Sequence, residues 1–296
     1  MSRLEKALEK ASKMKEEKRD TGETAKSITE TASYEHFKTE VPLEIHNPYL
    51  VTVTDPQSPV AEEYRKLKSM IVERTKGDAF QNTIMVTSTA KAEGKSITAI
   101  NLAITLAQDY DNTVLLVDAD LRQPTIHKYL NINNEIGLSD CLTKGAKISD
   151  ALVKTGIGKL MVLPSGSNIS NPVELLSSNM MTELIRELKN RYEDRYVIID
   201  TPPILPFAEA HSIGQVVDGA ILVIREGIAS SNHIKDVLRL LKGVNIFGIV
   251  YNGAEIDRFD GHYYYYYKSY HSHNGNTHDG GNKKRSWLQF LRRNKQ

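Results

Sequence analysis

Thr83-Ile84-Met85-Val86-Thr87-Ser88-Thr89-Ala90-Lys91-Ala92-Glu93-Gly94-Lys95-Ser96-Ile97-Thr98-Ala99-Ile100-Asn101-Leu102-Ala103 is the stretch that decides how this chain of 296 residues is built. Its first five residues form an apolar run of strand length, and the residues after Lys95 carry a helical pattern. Between them lies a short loop that ends in Glu93-Gly94-Lys95-Ser96. A strand that passes through such a loop into a helix turns backbone N–H groups and the helix N-terminus toward an anion. Lys95 would neutralise the β and γ phosphates of a nucleotide, and Ser96 would offer its hydroxyl to Mg²⁺. The loop departs from the usual pattern at Thr89, which stands where a first glycine is expected.

Two further strand ends strengthen the assignment. Val114-Leu115-Leu116-Val117 runs into Asp118-Ala119-Asp120-Leu121-Arg122, and Tyr196-Val197-Ile198-Ile199 runs into Asp200-Thr201-Pro202-Pro203. An aspartate at the C-terminal end of one buried strand is as readily a helix cap or a turn residue. Three such motifs on successive core strands place carboxylates where parallel sheets bind ligands. Mg²⁺ takes oxygen ligands and keeps several waters, so two acidic residues beside the phosphates suit it.

Outward from these motifs, apolar runs alternate with helical patterns from Asn47 to about Asn252. Strands are expected at 83–87, 113–118, 160–163, 196–200, 220–224 and 246–251, with helices after Lys95, Pro172 and Asn232. Near-continuous apolar strands separated by helices imply an α/β, doubly wound, mostly parallel sheet with helices on both faces. Three parts are therefore expected: residues 1–46, an amphipathic helix and polar linker; 47–254, an ATP-binding domain; and 255–296, a tyrosine-rich tail. The tail holds Tyr263, Tyr264, Tyr265, Tyr266 and Tyr267 in succession, with Tyr270 close behind. It ends in a basic segment that contains Trp287, Leu288, Phe290 and Leu291. Such a segment could lie on an anionic membrane face or dock on a partner; a solvated tail is the alternative.

Composition narrows the classes. With 38 basic and 37 acidic residues, bulk charge gives no footprint for nucleic acid, and none is expected as a partner. The single cysteine, Cys141, cannot form an internal disulfide, which fits a reducing cytoplasm. No stretch reaches the roughly 18–20 apolar residues of a membrane span. His262, His271, His273 and His278 are spaced too irregularly to read as a metal site. Tyr64 and Cys141 read as helix surface and core filler.

Over residues 48–252 these motifs resemble the bacterial tyrosine autokinases, P-loop ATPases related to the Min and Par proteins. Asp118-x-Asp120-x-Arg122 is similar to that family's second acidic motif, and Asp200-Thr201-Pro202-Pro203 to its Walker B. Asn171-Pro172-x-Glu174-Leu175-Leu176, after Pro164-Ser165-Gly166, also matches. Glu62-x-x-Arg65-x-x-Lys68 resembles the helix through which subunits form rings, with Lys68 in place of an arginine. The Glu-Lys-Ala-Leu helix near the N-terminus is similar to autokinases of exosortase-type exopolysaccharide systems.

The resemblance implies an ATP- and Mg²⁺-dependent kinase that phosphorylates its own tail tyrosines. Asp118 and Asp200 would organise Mg²⁺ with Ser96, Asp120 would orient or deprotonate the tyrosine hydroxyl, and Asn252 would lie against adenine. Glu93, Gly94, Lys95, Ser96, Ile97 and Arg122 would line the nucleotide. It further implies a membrane-embedded chain-length or co-polymerase protein as activator, a homo-oligomeric ring, a cognate tyrosine phosphatase, and a cytoplasmic setting peripheral to the plasma membrane. Two departures stand out. Lys91-Ala92 replaces a Pro-Gly common among relatives, and Ala90 occupies the position of the lysine that marks the positioning ATPases. The alternative is a dimerising Min/Par-like ATPase switch with no protein phosphorylation. A third reading makes the ATP site an assembly device and the tail a secondary timer.

Overall fold

Successive side chains of a strand point to opposite faces of its sheet, and here both sets are apolar. In the computed structural model, which describes residues 45–77 and 79–254, Met85, Leu115, Val117, Val197, Ile199, Leu222 and Ile224 enter one core. Their neighbours Ile84, Val86, Val114, Leu116, Ile198, Ile221 and Val223 enter the other. Two buried faces require cover on both sides, and the intervening helices supply it.

The chain enters through α1 (Val51–Thr54) and α2 (Pro59–Thr75), then passes β1 (Thr83–Ser88), α3 (Lys95–Ala107) and β2 (Thr113–Asp118). Four short elements follow: α4 (Ile126–Leu130), α5 (Leu138–Lys144), α6 (Ile148–Ala151) and β3 (Val153–Lys154). Next come β4 (Leu160–Leu163), α7 (Pro172–Leu176), α8 (Asn179–Asn190) and β5 (Arg195–Asp200). The described chain closes with α9 (Glu209–Gly214), β6 (Gly219–Arg225), α10 (Ser231–Leu240) and β7 (Ile246–Asn252). Leu50, Ile71 on α2, the buried side of α3, and Ile126 and Leu130 on α4 cover one face. Cys141 and Leu142 on α5, Leu184, Ile185 and Leu188 on α8, Ile213 on α9 and Val237 on α10 cover the other. The result is the expected doubly wound α/β architecture.

Strand order is β3-β4-β2-β5-β1-β6-β7, with every pairing parallel except β3 with β4. The six expected strands all form, within a residue or so of the anticipated bounds. Strand β3 was not anticipated, because two residues carry no periodicity. Helix starts follow local capping chemistry. Ser58, Ser178 and Ser230 accept the N–H of Ala61, Met181 and His233, each at 3.2 Å, and losing such a cap costs about 1 kcal/mol.

This order sets the site. Strand β5 lies between β1 and β2, so the three motif-bearing strands are neighbours. Asp118 pairs in register with Asp200, and Asp200 with Val86. Their loops all leave from one edge of the sheet. Tyr64 departs from its surface assignment: it lies half-buried beside Thr98 and Asn101 of α3, and burial raises its pKa. The N-terminal helix, the tyrosine cluster, the tail histidines and the basic terminal segment lie outside the described residues.

Candidate phosphate site

The loop from Thr89 to Gly94 is braced from within by a buried carboxylate. Glu93 accepts the Thr89 hydroxyl at 2.8 and 2.9 Å and the Ala90 N–H at 2.7 Å. Thr89 thus takes the place of the missing glycine by tying the start of the loop to its end. The Glu93 side chain is turned inward, so only its backbone faces a ligand. Arg225, at the end of β6, supports the same loop by donating Nη1 to the Ala92 carbonyl at 3.1 Å.

Gly94 has φ +92°, a left-handed conformation that costs glycine nothing. A Cβ there would lie 2.1 Å from Asn252 Nδ2. That amide donates to the Glu93 carbonyl at 2.8 Å, which places Asn252, the last residue of β7, against the loop. Ala92 also adopts positive φ, at 64°, without glycine's freedom.

Lys95 opens α3, and its ammonium lies among acids: 2.7 Å from Asp120 Oδ2, 3.5 Å from Asp200 Oδ1 and 3.0 Å from Ser96 Oγ. Burial pushes the lysine pKa down, but Asp200 and Asp120 together outweigh it and the net shift is upward. Burial drives Asp118 well above the ordinary carboxylate range, and the charge of Asp200 adds to it. Burial likewise lifts Asp200, to about 6, with Lys95 opposing the rise.

Asp118 Oδ2 accepts the Ile126 N–H at 3.2 Å. Asp118 Oδ1 and Asp200 Oδ2 have no hydrogen-bond partner among the described residues, and Asp200 Oδ1 has only the Lys95 ammonium at 3.5 Å. Buried carboxylate oxygens without donors are costly unless a cation completes them, so these atoms fit a hard divalent ion. No group of three His, Cys, Asp or Glu side chains among the described residues forms a protein-only metal cage. Mg²⁺ needs none, because it binds through one or two carboxylates with phosphates and water.

Lys95, Ser96, Asp118, Asp120 and Asp200 therefore come together as expected, and Ile97 lies half-buried in the first turn of α3. Arg122 points to another partner: its Nε donates to Glu209 at 2.5 Å, and its guanidinium lies 4.6 Å from the Phe207 ring centroid. Phe207, Glu209 and Arg225 escaped the sequence reading. A lone acid in the apolar stretch after Pro203 is the only hint of Glu209. On α2, Glu62 pairs with Arg65, Arg65 also reaches the Pro56 carbonyl, and Lys68 lies 3.3 Å from Asp109.

A family model described as AAA domain matches residues 81–245. Tyrosine-protein kinase YwqD of Bacillus subtilis is 38% identical over 222 residues, covering 74% of this chain and 92% of the relative. Tyrosine-protein kinase CpsD of Streptococcus agalactiae is 35% identical over 176 residues, 58% of this chain and 75% of the relative. Among solved structures, the kinase domain of Escherichia coli tyrosine kinase ETK superposes with a TM-score of 0.66 at 27% identity, covering 79% and 84%. The chimerical protein CapA2B2 gives 0.63 at 32% identity, covering 69% and 88%. The septum site-determining protein MinD of Pyrococcus horikoshii, complexed with Mg-ADP, gives 0.50 at 26%, covering 63% and 76%. Motifs, strand order and relatives agree: the chain belongs to the bacterial tyrosine-protein kinases.

Proposed function

We propose that this kinase transfers the γ-phosphoryl group of ATP to the tyrosines of its own tail, Tyr263–Tyr267 and Tyr270. The observation that carries the proposal is the placement of Asp120. It is nearly fully buried at the phosphate edge of the sheet, and Lys95 Nζ occupies its Oδ2 at 2.7 Å. Arriving phosphates compete for that ammonium. As Lys95 turns to them, Asp120 is released as an acceptor. A phenol has a reference pKa of about 10 and stays protonated at neutral pH, so it gains from a positioned base. Asp120 orients the hydroxyl and takes its proton as the oxygen attacks. Backbone N–H groups from Ala92 to Ser96 and the ammonium of Lys95 hold the phosphates in line. Ser96, Asp118 and Asp200 would hold Mg²⁺, which would offset developing charge on the transferring group. Glu93 through its backbone, Gly94, Ile97 and Asn252 complete the nucleotide's surroundings, while Glu209 and Phe207 draw Arg122 aside.

Reach supports the tail as acceptor. Asn252 touches the loop, and Tyr263 follows eleven residues later, within about 36–40 Å when extended. That span serves the chain's own site or a neighbour's. On this reading the chain divides into an N-terminal part, 1–46, the kinase domain, 47–254, and the acceptor tail, 255–296.

No helix among the described residues is long and apolar enough to cross a membrane. A cytoplasmic kinase held peripherally at the plasma membrane by a membrane-embedded co-polymerase, and controlling exopolysaccharide assembly, is the setting we propose. Glu62, Arg65 and Lys68, on the half-exposed side of α2, would join subunits into a ring. A tyrosine phosphatase would reset the tail.

The test is incubation of the full chain with Mg·ATP, with and without a candidate activator's cytoplasmic segment, followed by mass-spectrometric mapping. Phosphate on Tyr263–Tyr270 that vanishes in Lys95→Met supports the proposal. ATP hydrolysis without phosphotyrosine, activator present, would move the protein to the ATPase-switch class.

A further inference from the structure

Loops leaving β1, β2 and β5 meet around one aromatic ring. Arg122 lies 4.6 Å and Lys91 Nζ 5.6 Å from the centroid of Phe207. Glu209 is fully buried and holds Arg122 through Nε, while its Oε2 has no hydrogen-bond partner. With Nε engaged, the Arg122 side chain is still about a third exposed. Lys91 is exposed and has no carboxylate partner among the described residues. Two cations against one carboxylate leave a net positive charge on an aromatic platform. Arg122 stands two residues beyond Asp120, so the platform borders the acceptor position.

We propose that Lys91, Arg122 and Phe207 form a subsite for an aryl phosphate, namely a phosphotyrosine adjacent in the tail to the tyrosine being modified. The inference rests on the autokinase reading and extends it. In a run of five tyrosines, every transfer after the first takes place beside a phosphate of charge about −1.5 to −2. Asp118, Asp120 and Asp200 would repel it from the site. A guanidinium and an ammonium offset that repulsion and bind its oxygens, and the Phe207 ring packs against the phenol. Nucleotide phosphates have their own donors in the loop and Lys95, and they carry no ring ester-linked to phosphate. Successive modification of the cluster is the consequence.

The probe is phenyl phosphate, titrated by calorimetry into the full chain loaded with Mg·ADP, alongside inorganic phosphate. Phenyl phosphate is expected to bind at least tenfold more tightly than inorganic phosphate. Lys91→Ser and Phe207→Leu should each weaken it by about fivefold, the loss of one cation–π or stacking contact. Their affinity for Mg·ADP should change less than twofold. Under Mg·ATP, both variants should accumulate singly phosphorylated tails. Equal affinity for the two probes, or phenyl phosphate binding to the nucleotide-free chain but not to the Mg·ADP-loaded one, overturns the subsite and assigns the cations to the nucleotide. An unphosphorylated wild-type tail with phenyl phosphate binding intact would instead sink the autokinase reading and leave the subsite standing.

Discussion

Replacing Gly94 by alanine tests the phosphate loop at its tightest point. The residue sits at φ +92°, where an L side chain costs about 1–2 kcal/mol. The added Cβ would stand 2.1 Å from Asn252 Nδ2 and 3.3 Å from its Cγ. The amide must swing away and give up its 2.8 Å bond to the Glu93 carbonyl, at about 1 kcal/mol. Alanine also restrains the unfolded chain, which returns about 0.4–1 kcal/mol. The net loss is about 1–2.5 kcal/mol, or a fall of about 2–10 °C in Tm for a domain of roughly 200 residues. Thermal melts of the nucleotide-free protein measure it. The decisive variant is Gly94→Ala with Asn252→Ala. With the amide gone, the clash disappears and only the dihedral cost is left, so the double variant should be about 1 kcal/mol more stable than the two singles predict. Strict additivity would refute the contact on which the argument depends.

Ala92→Gly should act in the opposite direction two residues away. Relieving φ +64° should give a net gain of about 0.5–1 kcal/mol and raise Tm by about 1–4 °C; a lower Tm would contradict it. Burial alone would raise the pKa of Asp140, but Lys144 at 2.7 Å, the Ser167 hydroxyl at 2.6 Å and the N–H groups of Ser167 and Gly137 hold it well below the usual range. A depressed carboxyl stabilises the fold above its unfolded pKa near 3.8 and loses that contribution as pH falls toward its folded value. Asp140→Asn should therefore lower Tm at pH 7, with a gap from wild type that narrows below about pH 4; a gap constant with pH would count against the network. Burial raises the Cys141 thiol to about 11, so Ellman's reagent should react with the native protein far more slowly than with the unfolded chain. Equal rates would show the site to be open.

Much of the fold is legible in the sequence because the central strands are buried on both faces. Val114–Val117 and Val197–Ile199 are unbroken apolar runs that end at aspartates, and such runs have few other structural uses. The loop glycine, the lysine and the three aspartates are legible for the same reason, since each lies at a strand end or a helix start. The rest depends on contacts between distant segments. Nothing near Glu209 predicts that it meets Arg122, 87 residues earlier in the chain. The inward turn of Glu93 depends on Thr89 and on the end of β6, and Tyr64 looks like a surface residue until α2 packs on α3. Strand β3, two residues long, is defined only by its neighbour.

The measurement that tests the central claim most directly is the fate of γ-labelled phosphate from ATP in single turnover. Wild type should place label on tail tyrosine; Asp120→Asn should lose that transfer while retaining Mg·ATP binding, and a variant with Tyr263–Tyr267 and Tyr270 changed to Phe should carry no tail label. Label recovered entirely as inorganic phosphate from the wild type, with the activator present, would contradict autophosphorylation of the tail.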